Sequence, residues 1–130
     1  PSFDLILTSM VFNEVSTGGF LRALAECRRV LRSAGMLLMT ITPPNFVASL
    51  DRRNQLMRNR NGVLTMPGAG QMRLPIVPRQ VNDYERLLTN AGFSWEKRSV
   101  YLTDEVLRDK PGLRAVNKIP LALVLRCQPI

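Results

Sequence analysis

"FDLILTSMVFNEV", Phe3 to Val15, is the stretch on which the reading of the fold turns. From Phe3 to Thr8 it is apolar or β-branched except at Asp4. A strand with one wet face alternates apolar and polar residues. A strand covered on both faces does not, so Phe3–Ser9 is expected to be a strand buried on both sides, as in a parallel α/β sheet. The polar pair Asn13-Glu14 follows soon after, and Ser16-Thr17-Gly18-Gly19 reads as a turn with helix-cap candidates.

Beyond that turn, Phe20, Leu24, Cys27 and Leu31 recur at the spacing of one helix face, with Arg22, Glu26 and Arg29 off it. Arg28, Arg29 and Arg32 stand near the end of this helix, where cations suit its dipole. Ala34-Gly35 is predicted to end it, and Met36–Ile41 to form a second buried strand. Two strands joined by a helix make a βαβ unit, with parallel strands and a right-handed crossover. Pro43-Pro44 stops the second strand, and Asn45 is a candidate cap for a short helix burying Phe46, Leu50 and Met57. Gly, Pro, Asn and Arg then dominate up to Pro78. The region from about 43 to 78 is therefore read as an insert or lid, long and partly irregular. Pro78 is expected to open a helix with Val81, Tyr84, Leu88 and Ala91 on its buried face and Gly92 at its close. Phe93–Leu102 reads as a strand, 104–118 as a charged loop, and Leu121–Cys127 as a last strand. Strands alternating with helices predict a three-layer α/β fold.

Bulk properties narrow the function. The chain has 130 residues and is 45% hydrophobic, enough for one domain with one core. No apolar run approaches the ~20 residues that span a bilayer, and the opening residues carry no basic stretch of the kind that begins a signal peptide. The net charge of +8 suggests an acidic partner, whether nucleic acid, an anionic membrane surface or an acidic protein, with a solvated basic face as the alternative. No pattern of stacking aromatics accompanies the charge, which disfavours nucleic acid. The two cysteines are far apart in sequence and read as reduced thiols of an intracellular protein. The absence of histidine removes the usual general base and the commonest metal ligand, and no metal is expected.

With these marks in this order, the chain resembles the C-terminal half of a class I S-adenosylmethionine-dependent methyltransferase. The resemblance rests on "FDLILTSMVFNEV", "FLRALAECRRVLRSAGMLLMTI" and "LLTNAGFSWEKRSVYL". In that family they are the fourth strand, the next helix with the fifth strand, and the approach to the sixth strand. The resemblance implies a Rossmann-like sheet, C-terminal half only, mostly parallel with an antiparallel last strand. Ser33-Ala34-Gly35 stands where the family often has Pro-Gly-Gly, and Asn13-Glu14 where a histidine often begins the segment. "VNDYERLLTNAGF" and the insert before it resemble two branches: the biotin-synthesis carrier-protein methyltransferases, and the mitochondrial complex I assembly factor with this fold, which is associated with arginine hydroxylation. The second branch implies a mitochondrial location; otherwise a cytoplasmic one is expected. The family's Gly-rich loop after strand one and the acidic residue after strand two have no counterpart here, since Gly18-Gly19 follows the wrong strand. The expectation is a chain whose N-terminal cofactor-binding half is absent, or one that needs a complementary chain, and that is inactive alone.

Ligands of open α/β sheets sit beyond the carboxyl ends of the strands. That rule puts Ser9, Met10 and Val11 at the mouth of the first strand, where the resemblance implies that they border the methionine end of S-adenosylmethionine. Asn13 and Glu14 are candidates for orienting a substrate, with helix capping as the alternative for Glu14. Arg52 and Arg53 head an arginine cluster that runs on through Arg58, Arg60, Arg73 and Arg79, opposed only by Asp51. Guanidinium forks suit carboxylates and phosphates, so Arg52 and Arg53 are candidates for an anionic substrate; a solvated basic lid is the alternative. Three functions stay open: methyl transfer to a small molecule or protein, an assembly-factor role by arginine hydroxylation or scaffolding, and a non-catalytic protein-binding module.

Overall fold

The opening apolar run forms β1 (Phe3–Ser9), and the helix predicted after it forms α1 (Thr17–Val30), in a computed structural model that describes residues 1–130. Ser16 caps α1: its hydroxyl accepts a hydrogen bond from the Gly19 amide at 3.1 Å. The helix ends at Val30, earlier than Ala34-Gly35 suggested, and passes without a loop into β2 (Leu31–Ile41). β1 and β2 are parallel, as expected, from Leu5↔Met36 to Ser9↔Thr40. Their register slips between Phe3↔Leu31 and Leu5↔Met36, so Arg32 to Gly35 bulge out of the ladder. Gly35 suits this close approach: a Cβ would stand 3.1 Å from the Phe3 carbonyl oxygen and 3.0 Å from that of Arg32, tighter than ordinary contact. The acid that interrupts the first strand also has a partner, because Arg32 Nη1 grips both oxygens of Asp4 at 2.7 and 2.9 Å.

β6 (Phe93–Val100) and β7 (Ala122–Pro129) complete a four-stranded sheet of order β1-β2-β7-β6. The last strand runs antiparallel to both β2 and β6. Because it is wedged between them, the sheet is mixed by pairing rather than mostly parallel, although β1, β2 and β6 point the same way.

The three-layer expectation also needs correction. α1 and α3 (Val81–Asn90) pack on the same face. Phe20 and Leu24 of the first helix and Tyr84 and Leu88 of the second share one core with Leu37, Met39, Leu125 and Cys127. Right-handed connections lay their helices on one face when they step across a sheet in one direction, and a second face gains helices only where the stepping reverses. From β1 to β2 to β6 the stepping never reverses. The opposite face carries Leu5, Leu7, Met36 and Leu38, and β1 is an edge strand, so it is not buried on both sides: Leu5 and Leu7 are 54% and 64% exposed.

The insert is more ordered than its composition suggested. α2 (Pro44–Arg52) starts with Pro43 as its cap residue and not Asn45. β3 (Met57–Arg58), β4 (Leu64–Pro67) and β5 (Arg73–Pro75) form a three-stranded antiparallel sheet. Leu50, Met66 and Ile76 make a small separate core for it. Met57 is exposed on β3 instead of buried under the helix. α3 begins three residues after Pro78, where the Gln80 amide donates to the Asp83 carboxylate at 3.0 Å. The charged loop holds α4 (Asp104–Asp109) and a 3-10 turn (Pro111–Val116). No helix is long and apolar enough to cross a membrane.

Candidate functional site

Because β1 and β2 are parallel, their carboxyl ends open on the same rim of the sheet. Ser9, Met10 and Val11 lie there, as the topology required. Met10 takes a left-handed backbone conformation, φ 58°, which a residue with a side chain adopts only where its surroundings hold it. Its amide donates to the Thr40 carbonyl at 3.0 Å, Thr40 Oγ1 donates to Ser9 Oγ at 3.2 Å, and Thr42 Oγ1 lies 3.5 Å from Met10 Sδ. The turn leaves Val11 half exposed at the strand mouth.

Asn13 is held where the two strands leave the sheet. It is 3% exposed; its Oδ1 accepts from the Thr42 amide at 2.8 Å and its Nδ2 donates to the Thr42 carbonyl at 3.2 Å. Nδ2 also lies 3.4 Å from the Tyr84 hydroxyl, and the Asn13 carbonyl accepts from the Val77 amide at 2.7 Å. One side chain thus ties the β1 exit, the β2 exit, α3 and the end of the insert together. The neighbouring Glu14 is partly buried with no hydrogen bond or ion pair on its carboxylate, and the capping role open to it belongs to Ser16.

Arg79 is the residue the sequence hid. Grouped by composition with the exposed arginines, it is instead 8% exposed. Its Nη1 donates to the Phe12 carbonyl and its Nη2 to the Val15 carbonyl, each at 2.6 Å, and Nη2 lies 3.3 Å from Thr17 Oγ1. The guanidinium carbon stands 5.4 Å from the Phe20 ring centre and 5.6 Å from that of Tyr84. No carboxylate pairs with it, and its Nε has no hydrogen-bond partner. Burial pushes the Tyr84 phenol above its ordinary value, against the opposing pull of the Arg79 cation. Nothing in the local sequence Pro78-Arg79-Gln80 marks a buried side chain; only the fold brings it against the loop after β1.

These elements enclose a pocket of about 260 Å³ between the strand mouths and the insert. Asn13, Thr42 and Arg79 contribute its polar base, while Val47, Leu64 and Ile76 are among its apolar walls. Asp51 is its only carboxylate and has no ion-pair partner. Arg52 and Arg53 do not line it: a helix turns about 100° per residue, so the side of α2 that presents Asp51 turns both arginines away. Arg73 is taken up by the small sheet, through Thr65 Oγ1 at 3.0 Å and the Gln55 carbonyl at 2.5 Å, and Arg58 bonds the Gly62 carbonyl at 2.7 Å.

Among solved structures, this architecture recurs in a protein of Listeria monocytogenes provisionally named an S-adenosylmethionine-dependent methyltransferase. It is 17% identical with a TM-score of 0.73, over 99% of this chain and 62% of that one. It recurs again in an S-adenosylmethionine-dependent methyltransferase of Mesorhizobium loti, 16% identical with a TM-score of 0.65, over 97% and 62%. The chain has the class I methyltransferase fold. The DhpI–SAH complex shares it, with a TM-score of 0.57 and 14% identity over 98% of this chain and 48% of that one. The chain spans about half to six-tenths of the length of these methyltransferases. No family model matches it, and no curated protein matches it in sequence. In the class I fold the strand mouths that carry Ser9–Val11 and Thr42 are the ligand-bearing edge of the sheet. Ser9 to Val11 lie at that edge, with Met10 in its left-handed conformation and Val11 half exposed beside an open strand edge.

Proposed function

We propose that the chain forms the acceptor-binding part of an S-adenosylmethionine-dependent methyltransferase. One observation carries the reading: a mostly apolar pocket with a few converging polar groups opens at the carboxyl ends of β1 and β2 of this fold, beneath the insert. Ser9, Met10 and Val11 would border the cofactor, and protein covering the open edge of β1 would supply its remaining contacts. Bound S-adenosylmethionine supplies an electrophilic methyl group. The chain's own part is alignment: the Asn13–Thr42 clamp and Arg79 fix the loop after β1, and the insert shields the acceptor from water. Arg52, on the side of α2 away from the pocket, would meet an acidic surface. That agrees with an acceptor presented on a protein, which the resemblance of α3 to the carrier-protein and complex I assembly branches implies, the latter with a mitochondrial location.

The test is methyl transfer from radiolabelled S-adenosylmethionine by the intact protein, with a Val47→Trp variant that fills the pocket. Label transfer lost in the variant while cofactor binding is retained supports the reading; no transfer by the wild type in extracts of protein and small-molecule acceptors rejects it. The 130-residue chain alone should bind the cofactor weakly or not at all, and micromolar affinity by calorimetry would overturn the assignment of the other contacts to further protein. A second reading, a non-catalytic binding module, is favoured by the bare apolar face at β1. It predicts a stable complex through that face and no methyl transfer.

A further inference from the structure

α2 has two working sides. Val47, Ala48 and Asp51 face the acceptor pocket, whereas Phe46, Leu50 and Arg53 face a second groove of about 450 Å³. The i, i+4, i+7 spacing of the second set is one helix stripe. Across the groove stand Leu102, Val106 and Lys110, and Leu113 and Leu121 are part of its apolar lining. The volume lies in the range of small-molecule sites, and the lining has their usual composition, apolar with few polar groups.

The charges choose the ligand class. Arg53 ends α2 and Lys110 ends α4, and neither side chain has a hydrogen bond or an ion pair. No carboxylate lines the groove. None of the acids of α4 lines it, and Asp104 lines a different cavity beside Arg108 and Arg114. An apolar trough with two free cations and no anion suits a molecule with an apolar body and one carboxylate.

We propose that this groove binds a medium-chain carboxylate, its alkyl part on Leu50, Val106 and Leu113 and its head between Arg53 and Lys110. The site is separate from the acceptor pocket and needs neither cofactor nor methyl transfer, so it stands or falls independently of the proposed function.

The experiment is calorimetric titration of the chain with decanoate, decanol and decyltrimethylammonium at two salt concentrations. Decanoate should bind best, and decanol about five- to tenfold more weakly, the scale of two partly exposed ion pairs. The cation should bind weakest. Replacing Arg53 and Lys110 together by Gln should bring decanoate down to the level of decanol, and salt should narrow their difference. Leu113→Trp, which fills the trough, should abolish binding. Leu5→Ser with Leu7→Ser, which alters the bare sheet face, should leave it unchanged. Equal affinity for decanoate and decanol, an unaltered double Gln variant, or binding lost with the Leu5/Leu7 change would each overturn the site, as would no binding at all.

Discussion

Replacing Arg79 tests whether the candidate site is held together by a buried cation. The side chain is 8% exposed and spans two carbonyls, of Phe12 and Val15, at 2.6 Å each. Removing the guanidinium leaves both carbonyls short of a partner in a dry setting, at ~1–3 kcal/mol each, and forfeits contacts with two aromatic rings worth about 0.5–2 kcal/mol. Against this stands the desolvation of a charge with no carboxylate, which the mutation relieves. With the carbonyls dominant, Arg79→Met should cost on the order of 3 kcal/mol. Arg79→Lys keeps the charge but cannot fork across both oxygens, and should recover about half of that. Urea unfolding with an unchanged m-value measures the loss. Hydrogen exchange locates it: amides of residues 11–17 and 77–80 should lose protection well before those of β2 or β7. A neutral or stabilising Arg79→Met would refute the reasoning, since desolvation would then outweigh the bonds. A loss of protection spread evenly over the sheet would refute the claim that Arg79 acts on the loop.

Asn13→Leu should cost about 2–4 kcal/mol by urea unfolding, because it orphans the amide and the carbonyl of Thr42 together; Asn13→Asp keeps only the accepting half and should fall between. Lysines in place of Leu5 and Leu7 should lower self-association in sedimentation velocity while moving stability by only about 0.5 kcal/mol, and an unchanged sedimentation profile would mean that the bare face is not adhesive. Burial pushes the Cys127 thiol from 9.0 up to about 12 and raises the Tyr84 phenol. Each keeps its proton in the folded state after the unfolded chain has released it, so stability should fall as pH rises above about 9 through Cys127, by up to ~1.4 kcal/mol per pH unit, and more steeply above about 10, where Tyr84 joins it; Cys127 should resist alkylation at pH 8 until the chain unfolds. Asp51→Asn should weaken binding of amine-bearing acceptors and strengthen that of anionic ones, as read from KM in the transfer assay.

The sequence made legible what depends on neighbours along the chain. Phe3–Ser9 announced a strand by its apolar run, and Phe20 to Leu31 announced a helix by its period. Gly92 ended α3 where φ is +80°, a conformation that favours glycine. What it could not show depends on contacts across the fold. The apolar run of β1 reads the same whether two faces are covered or one, and only the one-way stepping of the strands leaves Leu5 and Leu7 exposed. The strands of the insert are two to four residues long, too short for a period-2 pattern to stand out among Gly and Pro. Arg79 has the same formula as Arg52 and differs only in lying where two carbonyls and two rings converge. The strand-mouth residues could be placed by a topological rule, whereas Asp51 needed the geometry of α2 and the insert.

The separation of charge across α2 constrains what an acceptor could be. A net charge of +8 draws anions toward the molecule over roughly a Debye length, about 8–10 Å at ordinary salt. Inside the pocket stand two opposite charges, the Asp51 carboxylate, which has no ion-pair partner, and the buried Arg79 guanidinium. Two unit charges about 4 Å apart interact by ~4 kcal/mol at the effective dielectric of a protein surface, so the end of the pocket at which an acceptor's charge sits decides whether it is drawn in or repelled. On the proposed reading, an anionic small molecule fits the outer field and must keep its charge on the Arg79 side. A neutral or amine-bearing group carried on an acidic protein meets the outer field through its carrier and the inner one beside Asp51, and the Asp51→Asn change separates the two, because it weakens only the second.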